Sequence, residues 1–258
     1  AIAYAEAYEA LGVEAYKEAA VRNVAFIRDR FTKKDPLALY HTYKEGKAQY
    51  DAFLDDYANW IDALLAVYQI TFDTDYLMLA KRYTDHVIAE FLDADSKMFY
   101  FTTANQKDIP IRRKDIYDSS VPSGNSTMVS NLLRLSLLLA QADYHQLASD
   151  MLLRVKESVE KYPRSFGRWA NQLLYLTYPA REIAVVGSDY ERLATDINQE
   201  YRPNSVIMGA AEADPAYPLL EGRGNGNDTL IYLCENYACR QPVKTLEEFR
   251  QLAVEVGS

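Results

Sequence analysis

Long apolar runs and positive charge are both scarce in this sequence. No run reaches the roughly 18 apolar residues that a membrane-spanning helix needs. Lysine and arginine number 28 against 37 aspartates and glutamates, so the formal net charge is −9, and no basic patch interrupts this balance. We therefore expect neither a membrane nor a nucleic acid as a partner.

Cysteine and histidine are also rare. The only cysteines are Cys234 and Cys239, which set no disulfide framework and lack the spacing of a Cys-x-x-Cys redox pair. Zinc favours four ligands, and no second pair is present. We expect two reduced thiols, with a labile disulfide as the alternative, in a cytoplasmic protein without a metal or other cofactor. Of the three histidines, His41 is the candidate for proton transfer, whereas His86 and His145 fit helix surfaces.

The N-terminal segment lacks both an initiator methionine and the basic and apolar regions of a signal peptide. It starts inside a helical pattern, which predicts a piece of a longer chain. The 258 residues are 49% hydrophobic and 25% charged, an ordinary globular composition that can bury a sizeable core in one large domain or two small ones.

Apolar residues recur at helical spacing through the first 200 residues or so. This spacing and the turn residues predict helices at about 3–11, 13–31, 50–72, 75–92, 126–139, 144–161 and 164–178. Residues 39–47 read as an extended segment with a turn at Glu45-Gly46, and residues 97–104 and 109–113 as a strand hairpin. Beyond Pro179, strands at 183–187 and 205–209 flank a helix at 190–200, which predicts a parallel β-α-β unit, and a third strand follows at 229–234.

Loosely antiparallel helix pairs joined by loops of alternating length are typical of an α/α toroid, in which apolar inner helices surround a central pocket. The predicted fold is therefore mainly α. Residues 1–180 supply part of a toroid, and residues 181–258 form a small β-α-β-β unit that closes the same domain. A complete toroid of six hairpins would need a longer chain.

The segment from Phe53 to Trp60 begins one of these helices and carries two adjacent carboxylates. At about 100° per residue, Asp56 shares its side with Phe53 and Trp60, whereas Asp55 shares its side with other polar residues and is predicted to be solvated. Burial against apolar surface raises a carboxyl pKa, so Asp56 is the candidate general acid. The alternative is that both are first-turn acids favoured by the helix dipole.

Further candidates surround this helix. Asp118 is the candidate second carboxylate, and Tyr57, Trp60 and Arg112 could shape a pocket. Ser123 and Asn125 begin a buried helix, where free amides could bind a ligand, although a simple capping role is the favoured interpretation. The run from Arg112 to Asp115 otherwise fits a solvated face.

Three stretches together resemble a known family: 53–58 (Phe-Leu-Asp-Asp-Tyr-Ala), 122–126 (Pro-Ser-Gly-Asn-Ser) and 234–242 (Cys-Glu-Asn-Tyr-Ala-Cys-Arg-Gln-Pro). They are similar to the C-terminal part of the thioredoxin-domain-containing, spermatogenesis-associated protein 20-like family. The resemblance implies a six-hairpin α/α toroid, similar to N-acylglucosamine 2-epimerases and several glycoside hydrolases, preceded in the parent chain by a thioredoxin-like domain.

Carboxylates and aromatic rings at the mouth of such a toroid predict a domain that binds a sugar or sugar derivative and that transforms it by epimerase-like or glycosidase-like acid–base chemistry. In this hypothesis Asp56, Asp118 and His41 are catalytic, while Tyr57, Trp60, Arg112, Ser123 and Asn125 bind substrate. The alternative is a non-catalytic scaffold that presents substrates or partners to the thioredoxin-like domain. An incomplete toroid also exposes the flanks of its inner helices, so self-association into a homo-oligomer is expected.

Overall fold

Helices make up most of the chain in the computed structural model, which describes residues 1–34, 37–106, 111–178, 180–200, 202–224, 226–236 and 238–255. The helices are α1 (Ile2–Leu11), α2 (Glu14–Phe31), α3 (Leu54–Thr71), α4 (Thr74–Phe91), α5 (Gly124–Leu139), α6 (Ala142–Lys161), α7 (Gly167–Thr177), α8 (Tyr190–Asn198) and α9 (Leu246–Glu255). The strands are β1 (Tyr40–Lys44), β2 (Lys47–Asp51), β3 (Arg181–Val186), β4 (Ser205–Ala210), β5 (Leu230–Glu235) and β6 (Ala238–Cys239).

The first seven helices are arranged in two rows. α1, α3, α5 and α7 contact one another in that order, and α2, α4 and α6 each pack on the helix that precedes them. α3 is buried from Tyr57 to Ile70 except at Asn59, and α5 is buried throughout except at Arg134. The burial of α5 confirms the prediction for a helix that is apolar on almost every side, whereas the burial of α3 also includes Asp62, on the side that helical periodicity predicts to be solvated.

The C-terminal unit is a four-stranded sheet in the order β4-β3-β5-β6. β3 and β4 are parallel, as the β-α-β pattern predicts, and β5 is antiparallel to β3. Because side chains alternate along a strand, the two faces of β3 enter different cores. Ala184 and Val186 join the main helical core, whereas Ile183 and Val185 pack with α8 and α9.

The predicted hairpin at 97–113 is not formed in the described residues. Phe99 makes only an isolated bridge to Leu92, and Phe101 N–H bonds to the Arg113 carbonyl. Instead, the side chain of Asn125 takes both backbone groups of Phe99, accepting its N–H at 2.8 Å and donating to its carbonyl at 2.9 Å. The proposed second strand falls partly on residues 107–110, which lie outside the described ranges.

The expectation of two reduced thiols is wrong, because Cys234 and Cys239 form a disulfide. The two residues are directly paired across the antiparallel strands β5 and β6. The sequence pattern ends its third strand at Cys234 and predicts neither β6 nor α9, so the hairpin that brings the two cysteines together is not anticipated. Among the described helices, none combines the length and the apolar character needed to cross a membrane.

Candidate functional site

The first turn of α3 brings His41 and Asp56 together. Asp56 Oδ2 accepts the Phe53 N–H at 2.8 Å and so satisfies one of the free amides at the start of the helix. The same oxygen lies 2.7 Å from His41 Nδ1 on β1. Because a carboxylate can only accept, Nδ1 carries the proton of this hydrogen bond and Nε2 is the nitrogen left for other chemistry.

Aromatic rings hold this histidine in place. The His41 ring stands edge-on to Phe53 with centroids 4.9 Å apart, and Phe53 stacks on Phe101 at 4.6 Å. The Arg113 guanidinium lies 4.8 Å from the centre of the Phe101 ring. The imidazole is therefore fixed on two sides, although 40% of its surface remains open to solvent.

A cavity of about 440 Å³ lies beside this pair, and we call it the rim cleft. Its polar lining comes from His41, Asp55, Asp56 and Asn59, and Trp60 contributes an aromatic wall. The remaining lining residues are mostly apolar: Ala1, Ile2, Ala3, Ile27, Phe31, Leu39, Tyr40 and Ala63. A largely apolar wall with a few convergent polar groups is the usual composition of a small-molecule site.

The prediction that Asp55 is solvated is wrong. Its Oδ1 accepts the backbone N–H of Gly124 at 2.9 Å and so joins the start of α3 to the start of α5. Burial raises the pKa of Asp55; the Gly124 amide opposes this, and the negative charges of Asp115 and Asp56 add to it. Burial therefore perturbs Asp55, the carboxylate that the sequence pattern assigns to solvent.

Asp118 ties two further helix ends together. Its Oδ1 accepts the Ser123 N–H at 2.9 Å and the Ser126 hydroxyl at 2.7 Å, and its Oδ2 accepts the Arg168 N–H at 2.8 Å. Ser123 is the cap of α5, since its hydroxyl accepts the Ser126 N–H at 3.1 Å, which confirms the capping interpretation. Both side chains are thus engaged in fixing the first turns of α5 and α7.

The other predicted pocket residues lie outside the rim cleft. Tyr57 is buried in the core, and its hydroxyl accepts the Leu39 N–H at 3.1 Å. Asn125 is wholly buried and also donates to the Asp115 carbonyl at 2.9 Å. Arg112 donates to the Thr102 carbonyl at 2.9 and 3.1 Å and stacks on Tyr100.

A buried ion cluster deeper along α3 is absent from the sequence predictions. Asp62 is 5% exposed, and its two oxygens accept from Arg134 at 2.9 Å and Arg168 at 2.8 Å. Helical periodicity assigns Asp62 to a solvated side of α3. The pattern of α3 alone does not show that α5 and α7, which carry Arg134 and Arg168, pack against that side. The sequence signal that points to this cluster is Arg134, the lone arginine within the apolar helix α5. A charge buried among apolar side chains needs an oppositely charged partner.

This cluster faces a second cavity of about 550 Å³ between the row α1-α3-α5-α7 and the β-α-β unit, which we call the inner cavity. Its charged lining residues are Glu6, Glu9, Asp62, Arg134, Glu200 and Arg202. Burial raises the pKa of Glu9 to about 7; the Arg134 charge opposes this shift and Glu6 adds to it. Among the described residues, Glu9 forms no ion pair, and no group of three or more histidine, cysteine, aspartate or glutamate side chains could hold a metal ion.

Comparison with known proteins places this chain near one group. It is 28% identical to spermatogenesis-associated protein 20 of Rattus norvegicus over 212 aligned residues. The aligned region covers 78% of this chain and 27% of the rat protein. The human protein of the same name is 27% identical to this chain, and the aligned region covers 78% of this chain and 27% of the human protein. An uncharacterized protein of Caenorhabditis elegans is 24% identical over 81% of this chain and 29% of its own length. The chain thus spans under a third of these relatives, and no model of a known protein family matches it.

Proposed function

We propose that the rim cleft binds a sugar or sugar derivative and that His41, oriented by Asp56, transfers a proton to or from it. The observation that carries this proposal is the hydrogen-bonded His41–Asp56 pair at the wall of the rim cleft. The volume of the rim cleft falls in the range of about 300–1,000 Å³ that is usual for small-ligand sites. Histidine is the commonest side chain in proton transfer, and an aspartate on Nδ1 fixes its tautomer and ring orientation.

In this proposal Asp56 supports the proton-transferring group and is not itself that group. Its oxygen faces the His41 Nδ1–H and the Phe53 N–H, so it stabilises an imidazolium that forms when Nε2 takes a proton. Asp55 and Asn59 offer polar contacts for hydroxyl groups from the same wall. The chemistry that fits a single histidine base is abstraction of a proton next to a carbonyl, as in epimerisation.

Glycoside cleavage is less well supported, because it calls for two carboxyl groups flanking the bond. Asp118, the candidate second carboxylate, is not among the rim-cleft residues, and its oxygens accept three hydrogen bonds from α5 and α7. The row of helices with outer partners is consistent with part of an α/α toroid, which we propose as the arrangement of the parent protein.

The test combines binding and proton exchange. The chain is titrated calorimetrically with aldoses, N-acetylhexosamines and uronic acids, and any ligand found is incubated with the protein in D₂O while its C2 proton is followed by NMR. We expect binding to the wild type with exchange at C2, loss of exchange in His41→Asn and Asp56→Asn, and no change in His145→Asn, which removes an exposed histidine on α6.

Exchange that persists in His41→Asn would refute the catalytic assignment. If no sugar binds, the sugar site is refuted and the alternative, a non-catalytic scaffold, is favoured. In that scaffold Asp55 and Asp56 serve only to hold the helix ends together. Asp56→Asn keeps an oxygen that can cap Phe53, so its fold is expected to survive and its loss of exchange is informative.

A further inference from the structure

The two sulfurs of the Cys234–Cys239 disulfide have different surroundings. Cys234 is 1% exposed on the buried strand β5, whereas Cys239 is exposed on the edge strand β6. A thiolate arriving from solvent therefore has access to the Cys239 sulfur and not to the Cys234 sulfur. Such an asymmetric pair is suited to thiol–disulfide exchange, in which the sulfur that is attacked must be reachable.

A guanidinium is held against the exposed sulfur. Arg223 Nη2 lies 3.0 Å from Cys239 Sγ and donates to it. The guanidinium stacks on the Tyr232 ring at 4.8 Å, and the Tyr232 hydroxyl accepts the Gly224 N–H at 2.8 Å. When the bond is reduced, a cation at this distance stabilises Cys239 as a thiolate, which is the reactive form of a cysteine.

The surface beside the exposed sulfur is open. A depression of about 320 Å³ is lined by Leu233, Glu235, Ala238, Cys239 and Arg240. Glu182 lies within electrostatic reach of Arg223, and Arg181 pairs with Glu235 at 3.7 Å. An incoming group can thus approach Cys239 without displacing the core.

The bond closes a short loop, since it joins residues only five positions apart. Cross-linking a loop of this length stabilises a fold less than closing a long loop does. β5 is already held by six residue pairs with β3, and by the isolated pairing of Ile231 with Val243.

We propose that Cys234–Cys239 is a thiol–disulfide exchange site for a protein dithiol, with Cys239 as the exchanging sulfur and Cys234 as the resolving one. A partner thiolate attacks Cys239 Sγ, the S–S bond breaks, and Cys234 leaves and takes up a proton. The partner's second thiolate then attacks its own sulfur in the mixed disulfide and releases Cys239 as a thiolate beside Arg223. The partner dithiol is oxidised to a disulfide, and this chain gains two thiols.

A dithiol is favoured over a monothiol such as glutathione by the position of Cys234. In a mixed disulfide on Cys239, Cys234 remains directly across the strand pair and can expel a monothiol. A dithiol completes the reaction through its own second sulfur. We therefore expect a thioredoxin to reduce the bond at least tenfold faster than glutathione at equal thiolate concentration.

The test uses the oxidised chain and a thioredoxin whose resolving cysteine is replaced by serine. The reaction is quenched in acid at short times, so that the released Cys234 thiol is protonated before it can expel the thioredoxin and the mixed disulfide is trapped. Peptide mass spectrometry is expected to find the trapped thioredoxin on Cys239. Attachment to Cys234, failure to form an adduct, or equal rates with glutathione and wild-type thioredoxin would overturn the proposal.

The role of Arg223 is tested on the reduced chain by the pH profile of Cys239 alkylation. Arg223→Gln is expected to slow alkylation at pH 7 about tenfold, with the rates converging in alkaline solution where the thiol ionises unaided. Arg223→Lys retains the positive charge and is expected to restore most of the rate, and Arg192→Gln on the exposed face of α8 is the matched control. Identical profiles for the wild type and Arg223→Gln would show that the guanidinium does not position a thiolate.

Discussion

Glu9 in the inner cavity should make the stability of this protein depend on pH near neutrality, and Glu9→Gln should remove that dependence. The pKa of Glu9 is raised from 4.5 to about 7 in the folded chain, chiefly by burial. Between these values the folded state binds the proton more tightly than the unfolded state does. The stabilisation is therefore fully present below pH 4.5 and is lost as pH rises through 7.

The size of the effect follows from the shift. A change of about 2.5 pH units at about 1.36 kcal/mol each amounts to about 3 kcal/mol between acid and alkaline solution. Partial exposure of the side chain allows solvent screening, which reduces the expected value to about 2 kcal/mol. Glutamine has nearly the same shape and no charge, so it leaves the packing of α1 on α3 in place.

The assay is urea unfolding of the wild type and Glu9→Gln from pH 4.5 to 8.5, with Glu14→Gln on the exposed first turn of α2 as the matched control. We expect equal stability of the wild type and Glu9→Gln at the acid end, and an advantage of about 2 kcal/mol for the variant at the alkaline end. Parallel curves, or a variant that is less stable at pH 8, would refute the inference that Glu9 is ionised at a cost.

Three further substitutions and one control, Gly167→Ala, test the packing of the helix row by urea or thermal unfolding. Asp62→Ala should cost about 2–4 kcal/mol, because it leaves two partly buried guanidiniums without their carboxylate; a loss below about 1 kcal/mol would show that water replaces it. Gly124→Ala should cost about 1–3 kcal/mol, since its Cβ would lie 2.4 Å from Asp55 Oδ1, whereas Gly167→Ala, with open space around it, should be neutral. Asn125→Ala should cost about 3 kcal/mol by stranding buried backbone groups, and full stability would show that they find other partners.

The elements could be predicted because their signals are local. Apolar spacing and turn residues place most of the observed helices within a few residues, and the two short apolar runs after Pro179 become the parallel strands β3 and β4. α3 starts at Leu54 rather than near residue 50, because residues 47–51 pair with β1. That pairing depends on a neighbouring strand, which helical periodicity does not register.

The candidate site was predicted only in part. His41 and Asp56 are 15 residues apart, and the sequence indicates each as a candidate, but their contact requires β1 to fold back over the start of α3. The roles of Asp55 and Asp118 could not be foreseen, because Asp55 reaches an amide 69 positions away and Asp118 one that is 50 away. A helical wheel orders residues around a single axis and carries no information on which other helix end lies beside them.

The sequence by itself determined the acidic, mainly helical character of the chain, the burial of α5, and the capping role of Ser123. These follow from composition and from residues within a few positions of one another. Only the tertiary structure decided that Asp62 is buried between two arginines, that burial raises the pKa of Glu9, and that the two cysteines are bonded with one sulfur exposed. Burial and charge pairing depend on which distant groups share a space, and the packing of helices and strands alone fixes that.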